Sequence, residues 1–155
     1  MQRAMIFSLF FFLISGTLFS QTSASIVKWK YRAVVSGKFE DKPDIIFEAE
    51  IKEGWHMYSQ FINGDGPVPT TFTFNESKEY SLNGTVKETG AKTSYDPNFD
   101  MEISYFEGKT EFVQPVKLNT KEKVSITGTI EFMVCNDHMC YPPETIEFTI
   151  DTIHK

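Results

Sequence analysis

The chain has 155 residues, enough for one domain and too few for two of ordinary size. Its 21 acidic residues outnumber 15 basic ones, giving a formal net charge of −6, and no basic patch interrupts that balance, which excludes nucleic acid as a partner. His56, His138 and His154 have no Ser or Asp pattern beside them, and Gly64-Asp65-Gly66 is not a phosphate loop, so hydrolytic and phosphoryl chemistry find no support.

Residues 1–20 read as a secretory signal peptide. Met1-Gln2-Arg3 is a short basic start, residues 4–19 are almost wholly apolar, and small and polar residues follow from Ser20 to Ser25. Cleavage after Ser20 leaves residues 21–155 as one domain, with Ala24 the other candidate. A membrane anchor is the competing reading, but the apolar run falls short of the ~20 residues that span a bilayer. No later stretch is apolar enough to cross, so the mature chain is expected in the periplasm or otherwise exported, without membrane insertion. There, two thiols can persist as a disulfide.

From Ser25 onward the hydrophobic period is two, and no helix pattern appears. Val27, Trp29, Tyr31, Ala33 and Val35 alternate with Lys28, Lys30 and Arg32, which predicts a first strand with one face on a core. Ile45, Phe47, Ala49 and Ile51 predict a second strand, and residues 63–69, dense in Gly and Pro, a loop. A short strand is expected over residues 70–74. Asn83-Gly84 carries the signal of a tight hairpin. Asp96-Pro97 opens a loop that holds residues 98–101, and residues 105–108 read as a turn exposing Tyr105 and Phe106. Pro115 within the strand 111–118 argues for an edge position. Val124, Ile126, Ile130, Phe132 and Val134 share a parity and face inward, as do Ile146, Phe148 and Ile150. Seven or more short strands in about 130 residues predict an all-β, immunoglobulin-like β-sandwich, with a small closed barrel as the alternative.

The chain's two cysteines, Cys135 and Cys140, have four residues between them and lie between the last two strands, so the hairpin tip carries a dithiol or a disulfide. Pro142 and Pro143 lack an N–H, which predicts that the second strand pairs only after them and leaves the tip open. A purely structural bridge in a β-sandwich binding module is a serious competitor. So short a closed loop, however, contributes only about 2 kcal/mol, and a domain of this size does not need it. His138, if protonated, would favour a thiolate at the tip, whereas Asp137 opposes one. A Cu(I)-binding or delivery module is a further alternative, since Cys135, Cys140, Met139 and His138 crowd the tip with soft ligands.

The segment Cys135-Asn-Asp-His-Met-Cys140-Tyr-Pro-Pro-Glu144 resembles the active-site segment of the N-terminal periplasmic domain of DsbD, the thiol:disulfide interchange protein. Gly54-Trp55-His56-Met57-Tyr58 and Tyr105-Phe106-Glu107-Gly108 with the strand after them are similar to two further segments of that family. The resemblance implies an immunoglobulin-like fold and a redox relay. Electrons would pass through Cys135 and Cys140 to or from thioredoxin-like exported proteins, with no cofactor. It also implies that Phe106 caps the cysteines with Tyr105 beside it, and that Tyr58 and His56 flank them. Cys140 would form the mixed disulfide and Cys135 resolve it. The family's best-known members place five residues between the cysteines, not four. The chain has no transmembrane carrier of its own, so electrons would come from a separate protein, a membrane electron carrier among the candidates.

Overall fold

The computed structural model describes residues 22–35 and 41–152. The signal-peptide assignment and His154 lie outside them. Among the described residues, eleven strands form two antiparallel sheets, and no helix is long and apolar enough to cross a membrane.

The first sheet runs β1 (Val27–Val35), β2 (Pro43–Ile51), β9 (Lys109–Leu118), β5 (Tyr80–Leu82), and β6 (Lys87–Glu88) also pairs with β9. The second runs β11 (Cys140–Asp151), β10 (Ser125–Cys135), β3 (His56–Tyr58), β8 (Met101–Phe106), β7 (Lys92–Asp96), and β4 (Thr71–Phe74) also pairs with β10. The sheets meet through aromatic side chains of the predicted inward parity. Trp29 of β1 lies with ring centroids 5.5 Å from Phe132 of β10, Phe47 of β2 lies 5.0 Å from Phe148 of β11, and Phe112 of β9 lies 5.3 Å from Phe106 of β8. Edge-to-face pairs of this kind add stabilisation to the area they bury. The fold is the expected immunoglobulin-like β-sandwich, closed by neither sheet into a barrel.

The parity of β10 holds in full: Ile126, Ile130, Phe132 and Val134 are all buried. β1 departs from expectation because it is an edge strand. Tyr31 is 37 % exposed although its ring leans on Phe47 and Phe148. A single helical turn, Ser23–Ile26, precedes β1 where no helix was expected.

Two turn assignments and one edge assignment need correction. Asn83-Gly84 does not close a tight hairpin, because β5 and β6 do not pair with each other; both line the same side of β9. Tyr105 and Phe106 are not in a turn but end β8, and the turn is Glu107-Gly108. Pro115 is not on an edge: it faces Asp44 of β2, and β9 is flanked on its other side too. On that side β5 reaches only to Val116 and β6 only to Val113, so Pro115 falls in the gap between their ladders. A missing N–H is tolerated where no ladder bond is due. Its carbonyl still accepts from Asn83 N (2.9 Å) and Gln114 Nε2 (2.7 Å).

Candidate functional site

The alternation that sends Phe132 and Val134 into the sandwich sends Met133 and Cys135 to the opposite face of the same sheet. On β3, Met57 points inward and His56 and Tyr58 outward; on β8, Phe106 points inward and Ile103 and Tyr105 outward. Two clusters result. The larger is the intersheet core, and the smaller joins buried Tyr58, Ile103 and Cys135 to half-buried Ile62, Phe99, Met101, Tyr105, Met133 and Cys140. The cysteines therefore belong to a separate outer layer, not to the core between the sheets.

Cys135 and Cys140 are disulfide-bonded, with Cα atoms 4.0 Å apart. They face each other as the last pair of the β10–β11 ladder. Cys135 is fully buried and Cys140 half-buried. The tip is more ordered than expected. Asn136 N donates to Met139 O, and Asn136 Oδ1 accepts from His138 N and Met139 N, all at 2.9 Å. Asp137, His138 and Met139 are exposed on it.

The expectation that pairing waits until after the prolines is overturned. Cys135–Cys140 and Val134–Tyr141 pair before them, Phe132–Glu144 after them, and the register shifts between. Met133 thus opposes both prolines in a bulge. β11 is an edge strand, and edges and bulges are where a sheet accepts proline. The bulge is held from outside. Ser23 Oγ donates to Pro142 O (2.9 Å), Ala24 N donates to Glu144 Oε2 (2.6 Å), and Tyr141 stacks on Trp55 at 4.9 Å with the planes 8° apart. Trp55 packs against the main core, as ordinary packing would have it.

Beside the disulfide lies a buried polar network. Tyr58 Oη donates to Asp96 Oδ2 at 2.7 Å; His56 Nε2 lies 3.2 Å from that hydroxyl and 3.4 Å from that carboxylate oxygen. Asn98 N (2.8 Å) and Nδ2 (3.0 Å) donate to Asp96 Oδ1. Burial pushes the Asp96 carboxyl up, but the Tyr58 hydroxyl, the two Asn98 donors and the His56 ring together hold it below the usual carboxylate range. Burial first, then the hydrogen bond and charge of Asp96, push the Tyr58 phenol well above its ordinary value.

Asp96 and Asn98 also shape the β7–β8 turn. Their bonds fold Phe99 back so that its ring meets Tyr58 edge-on at 5.8 Å, and Asn98 Nδ2 reaches Asn136 O of the cysteine tip at 3.4 Å. His56, Tyr58 and Tyr105 are thus brought to the cysteine layer, with the His56 ring 5.2 Å from Tyr105. Phe106 is not. It is 2 % exposed in the intersheet core against Phe112, on the face of β8 away from the cysteines. The aromatic on a turn over the site is Phe99, within the loop expected over residues 98–101. The available signal was the Asp-Pro-Asn run before it, which favours a side-chain-bonded turn.

A family model described as "Thiol:disulfide interchange protein DsbD, N-terminal" matches residues 24–152. The chain belongs to this family. Among solved structures, the Neisseria meningitidis DsbD N-terminal domain in its reduced form is 17 % identical. The match covers 81 % of this chain and 83 % of that one, with a TM-score of 0.53. The complex between the DsbD N-terminal and PilB N-terminal domains of the same organism gives 13 % identity, 86 % and 88 % coverage and a TM-score of 0.52. The N-terminal periplasmic domain of ScsB from Proteus mirabilis gives 12 %, with 81 % of this chain matched to 44 % of that one and a TM-score of 0.50. No curated protein matches. These likenesses concern the fold.

Proposed function

We propose that the chain is an exported redox relay domain that passes electrons through Cys135 and Cys140 to or from thioredoxin-like proteins, fed by a separate carrier. The observation that carries this reading is the placement of the disulfide outside the sandwich core, at the end of a ladder, with one sulfur bearer half-exposed. A bridge there is redundant as a staple. β10 and β11 already pair from Ser125–Asp151 to Cys135–Cys140, and closing a loop this short stabilises little. Membership of the DsbD N-terminal family and the existence of a solved DsbD–PilB complex support a protein partner. Export rests on residues 1–20 as a leader. In this reading Tyr58, Tyr105 and His56 wall the cysteines, Asp137 and His138 tune the tip, and Phe99 takes the capping place expected of Phe106.

Exchange proceeds by thiolate attack on a disulfide sulfur. In the reduced protein, Cys140, the more exposed of the pair, attacks the partner's disulfide; Cys135 then displaces the partner and restores the internal bridge. Equilibration with glutathione tests the reading. The Cys135–Cys140 couple is expected between about −270 and −120 mV, the span of exchange proteins, and a potential below about −300 mV marks a structural bridge instead. Phe99→Ala is expected to speed reduction of the oxidised protein by dithiothreitol roughly tenfold, equivalent to about 1.4 kcal/mol. The check is a timed alkylation assay, and an unchanged rate removes Phe99 from the capping role.

A further inference from the structure

We propose that His56 is the proton acceptor for Cys135 during resolution of the mixed disulfide, with Asp96 positioning its ring. The inference rests on the relay reading and adds a role to it. His56 is the direct cross-strand partner of Cys135 in the β3–β10 ladder. Residues so paired project from the same face with Cβ atoms about 5 Å apart. This histidine therefore stands next to the sulfur that must lose a proton before it can attack. Its Nε2 is held by the Asp96 carboxylate and the Tyr58 hydroxyl, which leaves Nδ1 for proton exchange. Carboxylate, imidazole and nucleophile in series is the arrangement by which an oriented base activates a weak nucleophile.

Cys135 needs such a base more than Cys140 does. It is fully buried, and burial in apolar surroundings disfavours a thiolate. The ring is surrounded by Tyr58 from its own strand, Asp96 from β7, Tyr105 from β8 and Cys135 from β10. Asp96 is the one fixed charge among them, and it stabilises the imidazolium that forms. Cys140 is bonded to one partner sulfur. His56 takes the proton from Cys135 Sγ, and the thiolate attacks Cys140 Sγ. The Cys135–Cys140 bond forms and the Cys140–partner bond breaks. The partner sulfur leaves with the electron pair and collects a proton, so the domain's dithiol is oxidised by two electrons and the partner's disulfide is reduced.

The test uses the reduced full domain and oxidised glutathione, with acid quenching and mass spectrometry of the glutathione adduct from pH 5.5 to 9. The wild type is expected to clear the Cys140 adduct without accumulating it. His56→Gln is expected to accumulate it at pH 7, with resolution slowed about a hundredfold, within the usual range for a general base. That deficit should shrink towards pH 9 as the thiol ionises unaided. Asp96→Asn keeps the imidazole but removes the carboxylate that holds its ring, so it is expected to slow resolution at pH 7 less than His56→Gln does, and it carries the test if His56→Gln does not fold, resolution at the wild-type rate then overturning the proposal. Resolution of His56→Gln at the wild-type rate overturns the proposal, as does slowing by the same factor at every pH, the mark of a packing role. A wild-type protein that forms no glutathione adduct and no internal disulfide sinks the relay reading as well, and that failure is distinct because it appears before any substitution is made.

Discussion

Cys135→Ser protein, reduced and mixed with an oxidised thioredoxin-like partner, is expected to accumulate a covalent adduct through Cys140, while Cys140→Ser accumulates none. The asymmetry follows from burial. Cys140 opens the edge strand β11 and is half-buried, whereas Cys135 ends an interior strand and is fully buried beneath the outer cluster. Attack needs the incoming sulfur to approach the disulfide in line. Cys140 is the more exposed of the two, whereas Cys135 lies under the layer of Tyr58, Phe99 and Met133. Non-reducing electrophoresis with mass mapping of the linked peptide reads the outcome. An adduct on Cys140→Ser and none on Cys135→Ser reverses the order of the two cysteines.

Gly128→Ala is expected to cost about 3 kcal/mol of stability, the upper end of what overpacking a close contact does. Gly128 sits in β10 between Phe74 of β4 and Phe148 of β11. A Cβ there would lie 2.0 Å from the Thr73 carbonyl oxygen and 2.7 Å from Phe148 Cζ. The first obstacle is backbone, so a rotamer change cannot relieve it, and β4 must lift from the sheet. Urea unfolding should show a lower midpoint with the same slope. An unchanged midpoint would show that β4 adjusts without loss. The site is seven residues along β10 from Cys135, about 23 Å at strand rise, so the glutathione equilibrium of the cysteines should be unmoved. Stability and redox behaviour are separable on this strand.

The sandwich was legible because its signal is local. Alternation in β10 and β2 needs only the pleat and a dry side, and both strands have one. In the structure the same alternation sets Cys135 on the face opposite Phe132 and Val134, which is the main fact about the site. What failed was what depends on neighbours in space. Pro115 implies an edge only if ladder bonds are due at its N–H, and two short strands happen to leave that spot vacant. Asn83-Gly84 implies a hairpin only if its flanks pair with each other rather than with β9. Pro142-Pro143 end pairing only if the strand cannot bulge. Phe106 and Phe99 illustrate the limit at the site itself. Similarity favoured the aromatic next to Tyr105, but strand parity turns that ring into the core, and a turn bonded through Asp96 and Asn98 brings Phe99 over instead.

The clasp of Ser23 and Ala24 on the Pro142–Glu144 bulge holds the start of the described chain beside the cysteine hairpin. The last described residue, Thr152, is pinned to Val124 at the far end of the same two strands, about 26 Å from Glu144 by strand rise. Bulk added at Thr22 would therefore crowd the cysteine hairpin, whereas bulk added at Thr152 would leave it clear. Loss of Ser23 and Ala24 would in turn release the grip on the bulge and free the strand that carries Cys140.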